Sequence, residues 1–393
     1  MAENTAIEWC DDSISFWHGC TKIASGCSSC YAEGMSKRWG LDIWGPNKPR
    51  LFIASAVATL KKINSKAERE GKPRIVFINS MSDFFEEHNG PVVNRAGQRL
   101  CCGPHCPEYY AREPRKAREE SWLTIADLRT KAFALFDQLK WLRLLLLTKR
   151  PENVRRMWTR THGFPGDQCA DVGPGVETDH YWHRPNVWLG FSASTQADLD
   201  AGLPHLLACR DLCPVLFLSL EPLLGQCEIV ALLNHVRGQF TGNGHCCCCG
   251  AGPFETARNT DGGRRHLAVC PGQKSLIGWV IVGGESGPRA RPCNVDWIRS
   301  VVRQCKDAGV SCFVKQLGSK PMMRADSYEG RMAGDHPERE WPLGTLFGTA
   351  MDHMGTEWQG RHAKLRDGKG GDMDEFPEDL RIREWPRVCL TTS

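Results

Sequence analysis

The chain has 393 residues, of which 41% are hydrophobic, 24% charged and 9% aromatic, the composition of a folded globular protein; disordered, fibrous and small disulfide-stapled classes are excluded. Its 50 Lys and Arg against 46 Asp and Glu leave a formal charge of +4, too mild for a general nucleic-acid binder, so any basic patch must be local. The outlier is cysteine, with 20 copies.

In chain order the apolar runs of strand length fall at 15–18, 75–79, 142–148, 187–192, 215–219, 279–283 and 311–315. Amphipathic stretches of helical period fall at 29–39, 55–70, 125–139, 196–207 and 295–308. The runs are continuously apolar, not alternating, which predicts a parallel sheet covered by helices. The expected fold is α/β, a TIM-like or partial (β/α) barrel over 1–319. It carries two Cys-rich insertions, 86–121 and 236–275, and an irregular tail, 320–393, packs on it; the turn at 369–372 is expected to be a surface loop. The densest apolar run, 142–147, is far short of the roughly 20 residues of a membrane helix. The first residues, Met1-Ala2-Glu3-Asn4, show no leader pattern. No membrane partner is expected, and the location is read as cytoplasmic, where reducing conditions turn many cysteines toward metal binding or catalysis.

In barrels of this kind function collects where strands end. After the first strand-like run comes Cys20-x6-Cys27-x2-Cys30, running into the first helix. Three thiolates on one loop suit an iron–sulfur cluster with one iron left open; a zinc site completed by His18 or a distant cysteine, and three unligated thiols, are the alternatives. Later strand ends carry Ser80, Ser82 and Asp83, then Lys149 and Arg150, then Glu221, then Gly283, Gly284 and Glu285, then Lys315. The hydroxyls and carboxylates can hydrogen-bond a cofactor or close an Asx or ST turn. The glycines let the backbone approach a ligand, and Lys149, Arg150 and Lys315 together can bind a carboxylate or phosphate.

The opening Ile7-Glu8-Trp9, Gly19-Cys20-Thr21-Lys22 and Gly26-Cys27-Ser28-Ser29-Cys30-Tyr31-Ala32-Glu33 resemble the phage-associated three-cysteine-motif family, described as radical-SAM-like, where SAM is S-adenosylmethionine. The resemblance continues through Asn79-Ser80-Met81-Ser82-Asp83, Thr148-Lys149-Arg150-Pro151, the segment 186–190, Ser219-Leu220-Glu221-Pro222, Val282-Gly283-Gly284-Glu285-Ser286-Gly287, Lys315-Gln316 and the segment 372–381. It implies a radical-SAM-type barrel, with Cys20, Cys27 and Cys30 holding a 4Fe–4S cluster whose open iron binds SAM. The implied partners are an electron donor, a three-Cys-motif protein, and a nucleic-acid or nucleotide substrate. Typical radical-SAM enzymes place a Gly-Gly-Glu motif after the second strand, whereas Gly283-Gly284-Glu285 follows a late one.

In the second insertion Cys246, Cys249, His266 and Cys270 have the spacing of a zinc knuckle or ribbon half, within a Gly-rich stretch too poor in apolar residues to order itself. The first insertion holds Cys101, Cys102, His105 and Cys106, with six basic against two acidic groups over 95–118 and Tyr109 and Tyr110 between them, a pattern that suits phosphate contact and base stacking or a solvated loop. Cys293 is the preferred hydrogen-atom donor among Cys293, Cys305 and Cys312. The expected activity is that of a radical-SAM enzyme generating a 5′-deoxyadenosyl radical; the alternative is a zinc-stapled nucleic-acid-binding or interaction module without redox chemistry.

Overall fold

The alternation of buried strands and amphipathic helices builds one curled parallel sheet. A computed structural model describes residues 3–101, 122–159, 183–229, 276–324, 346–351, 357–363 and 365–386. The strands are β1 (Asp12–Ile14), β2 (Trp17–His18), β3 (Arg50–Phe52), β4 (Arg74–Ile78), β5 (Val92–Val93), β6 (Leu142–Thr148) and β7 (Val187–Ser192). They continue as β8 (Val215–Leu220), β9 (Trp279–Gly283), β10 (Cys293–Asn294), β11 (Ser311–Gln316), β12 (Pro321–Arg324), β13 (Leu346–Met351) and β14 (Glu357–His362). The helices are α1 (Tyr31–Arg38), α2 (Ala56–Glu70), α3 (Ile125–Phe136), α4 (Pro151–Met157), α5 (Gln196–Leu207) and α6 (Val295–Ala308).

The main sheet runs β1-β4-β6-β7-β8-β9-β11, every pair parallel, and forms a half-barrel. Sequential strands pair in order, so all their C-terminal ends, and the loops that follow, lie along one edge. Side chains alternate between its faces. Val76, Leu144, Leu189, Leu216, Val280 and Val314 face the helices in the larger core. Phe77, Leu145, Trp188, Phe217, Trp279, Ile281 and Phe313 form a second, aromatic layer on the helix-free face, joined by Trp9 and Cys10. Trp279 stands at its centre, within 6.3 Å (ring centroids) of Trp9, Trp188, Phe217 and Phe313.

The structure moves the first strand. The run expected at 15–18 splits, because Asp12, Ser13 and Ile14 take the ladder positions opposite Val76, Phe77 and Ile78. The chain then bends at Phe16, whose N–H donates to Asn79 Oδ1 at 2.9 Å. Asn79 has a φ of +60°, a left-handed conformation that asparagine tolerates better than most residues. The tail, expected to be irregular, contributes β12, β14 and β13 to a four-stranded sheet with β10. Nor is the 369–372 turn wholly a surface loop: Gly370 is buried and its carbonyl accepts from Leu317 N at 2.7 Å, just beyond β11. The tail also covers the open edge of β11 through Val314 N to Ile382 O and Glu384 N to Cys312 O, each 2.9 Å. Among the described residues no helix is long and apolar enough to cross a membrane.

Candidate functional site

Above the aromatic layer the helix-free face turns polar toward the strand ends. Lys149 Nζ donates to Ser192 Oγ at 2.6 Å, Lys315 pairs with Glu221 Oε1 at 2.5 Å, and the hydroxyls of Ser13 and Ser80 are 2.6 Å apart. Tyr31, the first residue of α1, donates its hydroxyl to Ser80 O at 2.7 Å while its ring stays exposed. Lys149, Glu221 and Lys315 all remain partly exposed, so their polar ends are open to a ligand.

The loop from β2 to α1 lies across this edge. Cys20, Cys27 and Cys30 are free and neither fully buried nor fully exposed. Cys27 ends a 3-10 turn, Ser25–Cys27, and Cys30 is the N-cap of α1, with its N–H donating to Cys27 O at 3.3 Å. Burial pushes the Cys20 thiol up to about 12, with the Glu86 and Asp83 carboxylates adding to the rise and Arg150 opposing it. The Cys30 thiol is also raised, chiefly by burial, while the backbone N–H groups of Glu33 and Ala32 oppose the rise. These thiols are protonated until something compensates their charge, and a metal cation does that outright. Among the described residues no group of three or more His, Cys, Asp or Glu side chains is gathered as a closed cage.

His18 adds a fourth potential donor just before the loop. It is buried, stacked on Trp39 at 6.1 Å, and neither ring nitrogen has a partner. Burial lowers its pKa to about 4, so at neutral pH it is an uncharged imidazole with a free lone pair.

Several rim residues are engaged by the protein's own groups, one of them on through Arg291 to the loop. Asp83 accepts from Thr148 Oγ1 (2.7 Å), Lys149 N (3.0 Å) and Arg150 Nη1 (3.0 Å). Ser82 donates to Trp17 O at 2.8 Å. Both oxygens of Glu285 are taken by Arg291, at 2.7 and 2.8 Å, and Arg291 Nη1 then donates to Ser25 O at 3.0 Å. Gly26 sits against β7's end: a Cβ there would lie 2.1 Å from Ser194 Oγ. A Cβ on Gly284 would lie 2.3 Å from Leu317 O, so only glycine fits where the β9 and β11 ends converge; Gly283 is almost as close, 3.0 Å from Gln316 O. Cys293 is 1% exposed and belongs to the helix-side core, away from the polar face, and burial pushes its thiol up to about 12. The structure therefore places Ser80, Lys149, Glu221 and Lys315 along one edge with the cysteine loop over it, does not draw the three thiols into one cluster, and sets Cys293 in the helix-side core.

Sequence reasoning did not single out Arg50, Glu86 or Arg291. Arg50 and Glu86 are almost fully buried and paired at 2.8 Å through two bonds. Their flanks, Leu51-Phe52 and Phe84-Phe85, are the available signal, since a charge inside an apolar run is costly unless it is paired. The four zinc-type residues of the second insertion, Cys246, Cys249, His266 and Cys270, lie outside the described residues, as do Cys102, His105 and Cys106.

Residues 4–96 and 124–376 match DUF5131, a family described as protein of unknown function. The chain belongs to the DUF5131 family. No curated protein and no solved structure matches it. The DUF5131 match takes in the cysteine loop and all seven strands of the half-barrel. It passes over residues 97–123 of the first insertion, runs on through the second insertion and β12, β13 and β14, and stops before the segment that covers β11.

Proposed function

We propose that this DUF5131 protein is an iron–sulfur enzyme of radical-SAM type, with Cys20, Cys27 and Cys30 as the three protein ligands of a 4Fe–4S cluster. The observation that carries the reading is the donor set: three free, half-buried thiols on one loop, lying over the C-terminal edge of a parallel half-barrel. Such a cluster with three thiolates is net negative, and the Arg150 guanidinium stands 3.6 Å from Cys20 Sγ. When bound, the cluster would supply an open iron for SAM and the electron that cleaves it reductively, the electron coming from an external donor.

The protein's own residues bind and orient. Glu221 and Lys315 form an adjacent carboxylate and ammonium, complementary to the amino and carboxylate groups of an amino-acid moiety. Lys149, held by Ser192, offers a second cation for a carboxylate or phosphate. The aromatic layer beneath closes the floor and excludes water from that side. A nucleotide or nucleic-acid substrate agrees with the basic first insertion, of which Arg95 and Arg99 are the described part.

The test is iron, sulfide and zinc content after anaerobic reconstitution, with electron paramagnetic resonance of the reduced protein before and after SAM. We expect about four irons, a spectrum that shifts with SAM, reductant-dependent 5′-deoxyadenosine, and loss of iron in Cys27→Ala. Zinc alone would overturn the reading in favour of a zinc-stapled binding module, in which unpartnered His18 completes the site.

A further inference from the structure

The residue after Cys20 is bound at every polar atom it has. Thr21 N–H donates to Glu86 Oε1 at 2.8 Å, its Oγ1 accepts from Arg50 Nη2 at 3.0 Å, and its carbonyl accepts from Arg150 Nη2 at 2.6 Å. All three partners are less than a tenth exposed and belong to one charge lattice. Arg50 meets Glu86 with two bonds of 2.8 Å, Arg150 meets Asp83 at 3.0 Å, and Arg150 stands 3.8 Å from Glu86. Two guanidiniums and two carboxylates balance, so the lattice adds no net charge of its own. What is left over is directional: Arg150 Nη1 points its remaining donor capacity at Cys20 Sγ, 3.6 Å away.

A substrate contact would leave Arg150 exposed with free donors. Instead it is 7% exposed and engages Asp83, Thr21 and Cys20. Buried ion pairs carry a desolvation penalty that often makes them no better than an apolar replacement for stability, and conformational specificity is one use that has been argued for them. Here the specificity is visible, because the four charges come from three separate places in the chain and converge on one residue of the cysteine loop.

We infer that Arg150 is a positioning residue for Cys20: backed by Asp83, Glu86 and Arg50, it fixes the sulfur at the edge of the half-barrel and gives it an N–H···S hydrogen bond that tunes whatever redox group the sulfur ligates. The inference rests on the iron–sulfur reading above. Hydrogen bonds and positive charge at a ligand sulfur stabilise the more negative, reduced state, and so raise the reduction potential.

The experiment reconstitutes wild-type and Arg150→Lys anaerobically with iron and sulfide, and measures iron content, the paramagnetic resonance spectrum of the reduced form and the midpoint potential by redox titration. Lysine keeps the charge opposite Asp83 but lacks the planar fork by which Nη1 reaches Asp83 and Cys20 Sγ while Nη2 reaches Thr21 O. We expect Arg150→Lys to bind the cluster with a more negative potential and altered spectrum, or to lose iron while keeping its circular-dichroism spectrum. A potential and spectrum equal to wild type overturn the inference and leave the cluster reading intact. Wild-type protein that takes up no iron overturns the reading and the inference with it. If Arg150→Lys does not fold, Thr21→Val replaces it: this change removes only the Oγ1 bond to Arg50 and no charge, and is expected to perturb the spectrum and lower the potential. Wild-type values in Thr21→Val overturn the inference.

Discussion

Taking away one partner of the Arg50–Glu86 pair strands a charge that has almost no access to water. Arg50 donates not only to Glu86 but also to the carbonyls of Ile43, Gly45 and Lys48, so one guanidinium ties the 43–48 segment to the loop after β4. Glu86→Ala leaves that cation half-compensated, and the cost of breaking such a buried pair is about 3–5 kcal/mol. We expect urea denaturation of the metal-free protein to show that loss at unchanged m-value. A loss below about 1 kcal/mol would mean that water reaches the pair, as it does for surface ion pairs. At this scale the sequence was partly legible. Cysteine spacing pointed to the loop, and strand-end polarity pointed to Asp83, Lys149 and Glu221, but nothing local to Arg150 or Glu285 says that they serve the loop and not a ligand. That assignment depends on partners far along the chain, Thr21 for Arg150 and Ser25 through Arg291 for Glu285.

Elements with a strong period were legible because burial on one side repeats many times within them. The expected strands at 142–148, 187–192 and 279–283 coincide with β6, β7 and β9, and the expected helices at 196–207 and 295–308 coincide with α5 and α6. α5 also carries its start signal in the sequence: Thr195 Oγ1 accepts from Asp198 N at 3.1 Å, and Asp198 Oδ2 accepts from Thr195 N at 3.1 Å, a capping box. Thr195→Ala removes one half of this exchange in a nearly buried setting, so a loss of about 1 kcal/mol is expected in the same urea measurement. Thr195→Ser should recover most of it; equal losses in the two variants would show that the methyl group, not the hydroxyl, matters. Short elements were missed. β3, β5 and β10 have only two or three residues, too few to show a period, and they exist because a neighbouring strand offers them hydrogen bonds. α4 is seven residues long, and its one readable cue was Pro151, a residue favoured in the first helical turn.

At the scale of the whole molecule the half-barrel has no closing strand among the described residues, and the two ends of the described chain supply part of what closure would have given. Trp9 enters the aromatic layer and its carbonyl accepts from Trp385 Nε1 at 3.3 Å, while Glu384 O accepts from Trp279 Nε1 at 2.8 Å. The folded molecule also buries polar groups far from this closure, and histidines are the ones that respond near neutral pH. His18, held at about 4, His88, beside the loop after β4, and His183, before β7, all lie below the ordinary value of 6.5, chiefly by burial; Arg50 pushes His88 further down, and Asp211 partly opposes the shift at His183. The unfolded chain binds these protons near pH 6.5 and the folded chain only at lower pH, so below 6.5 the unfolded state holds more protons. Stability is then complete above that value and is lost as pH falls. The carboxylates held below their ordinary range, Glu33 and Asp367, titrate later, beneath their ordinary values of 4.5 and 3.8, and leave the window from 6.5 to 5 to the histidines. Thermal melts of the metal-free protein at pH 7.5, 6.5 and 5.5 should therefore give a Tm that is level over the first interval and falls over the second, and His88→Gln should reduce the fall. A Tm that holds steady or rises between pH 6.5 and 5.5 would mean that these imidazoles gain compensating partners on protonation, with water nearer to them than their burial indicates.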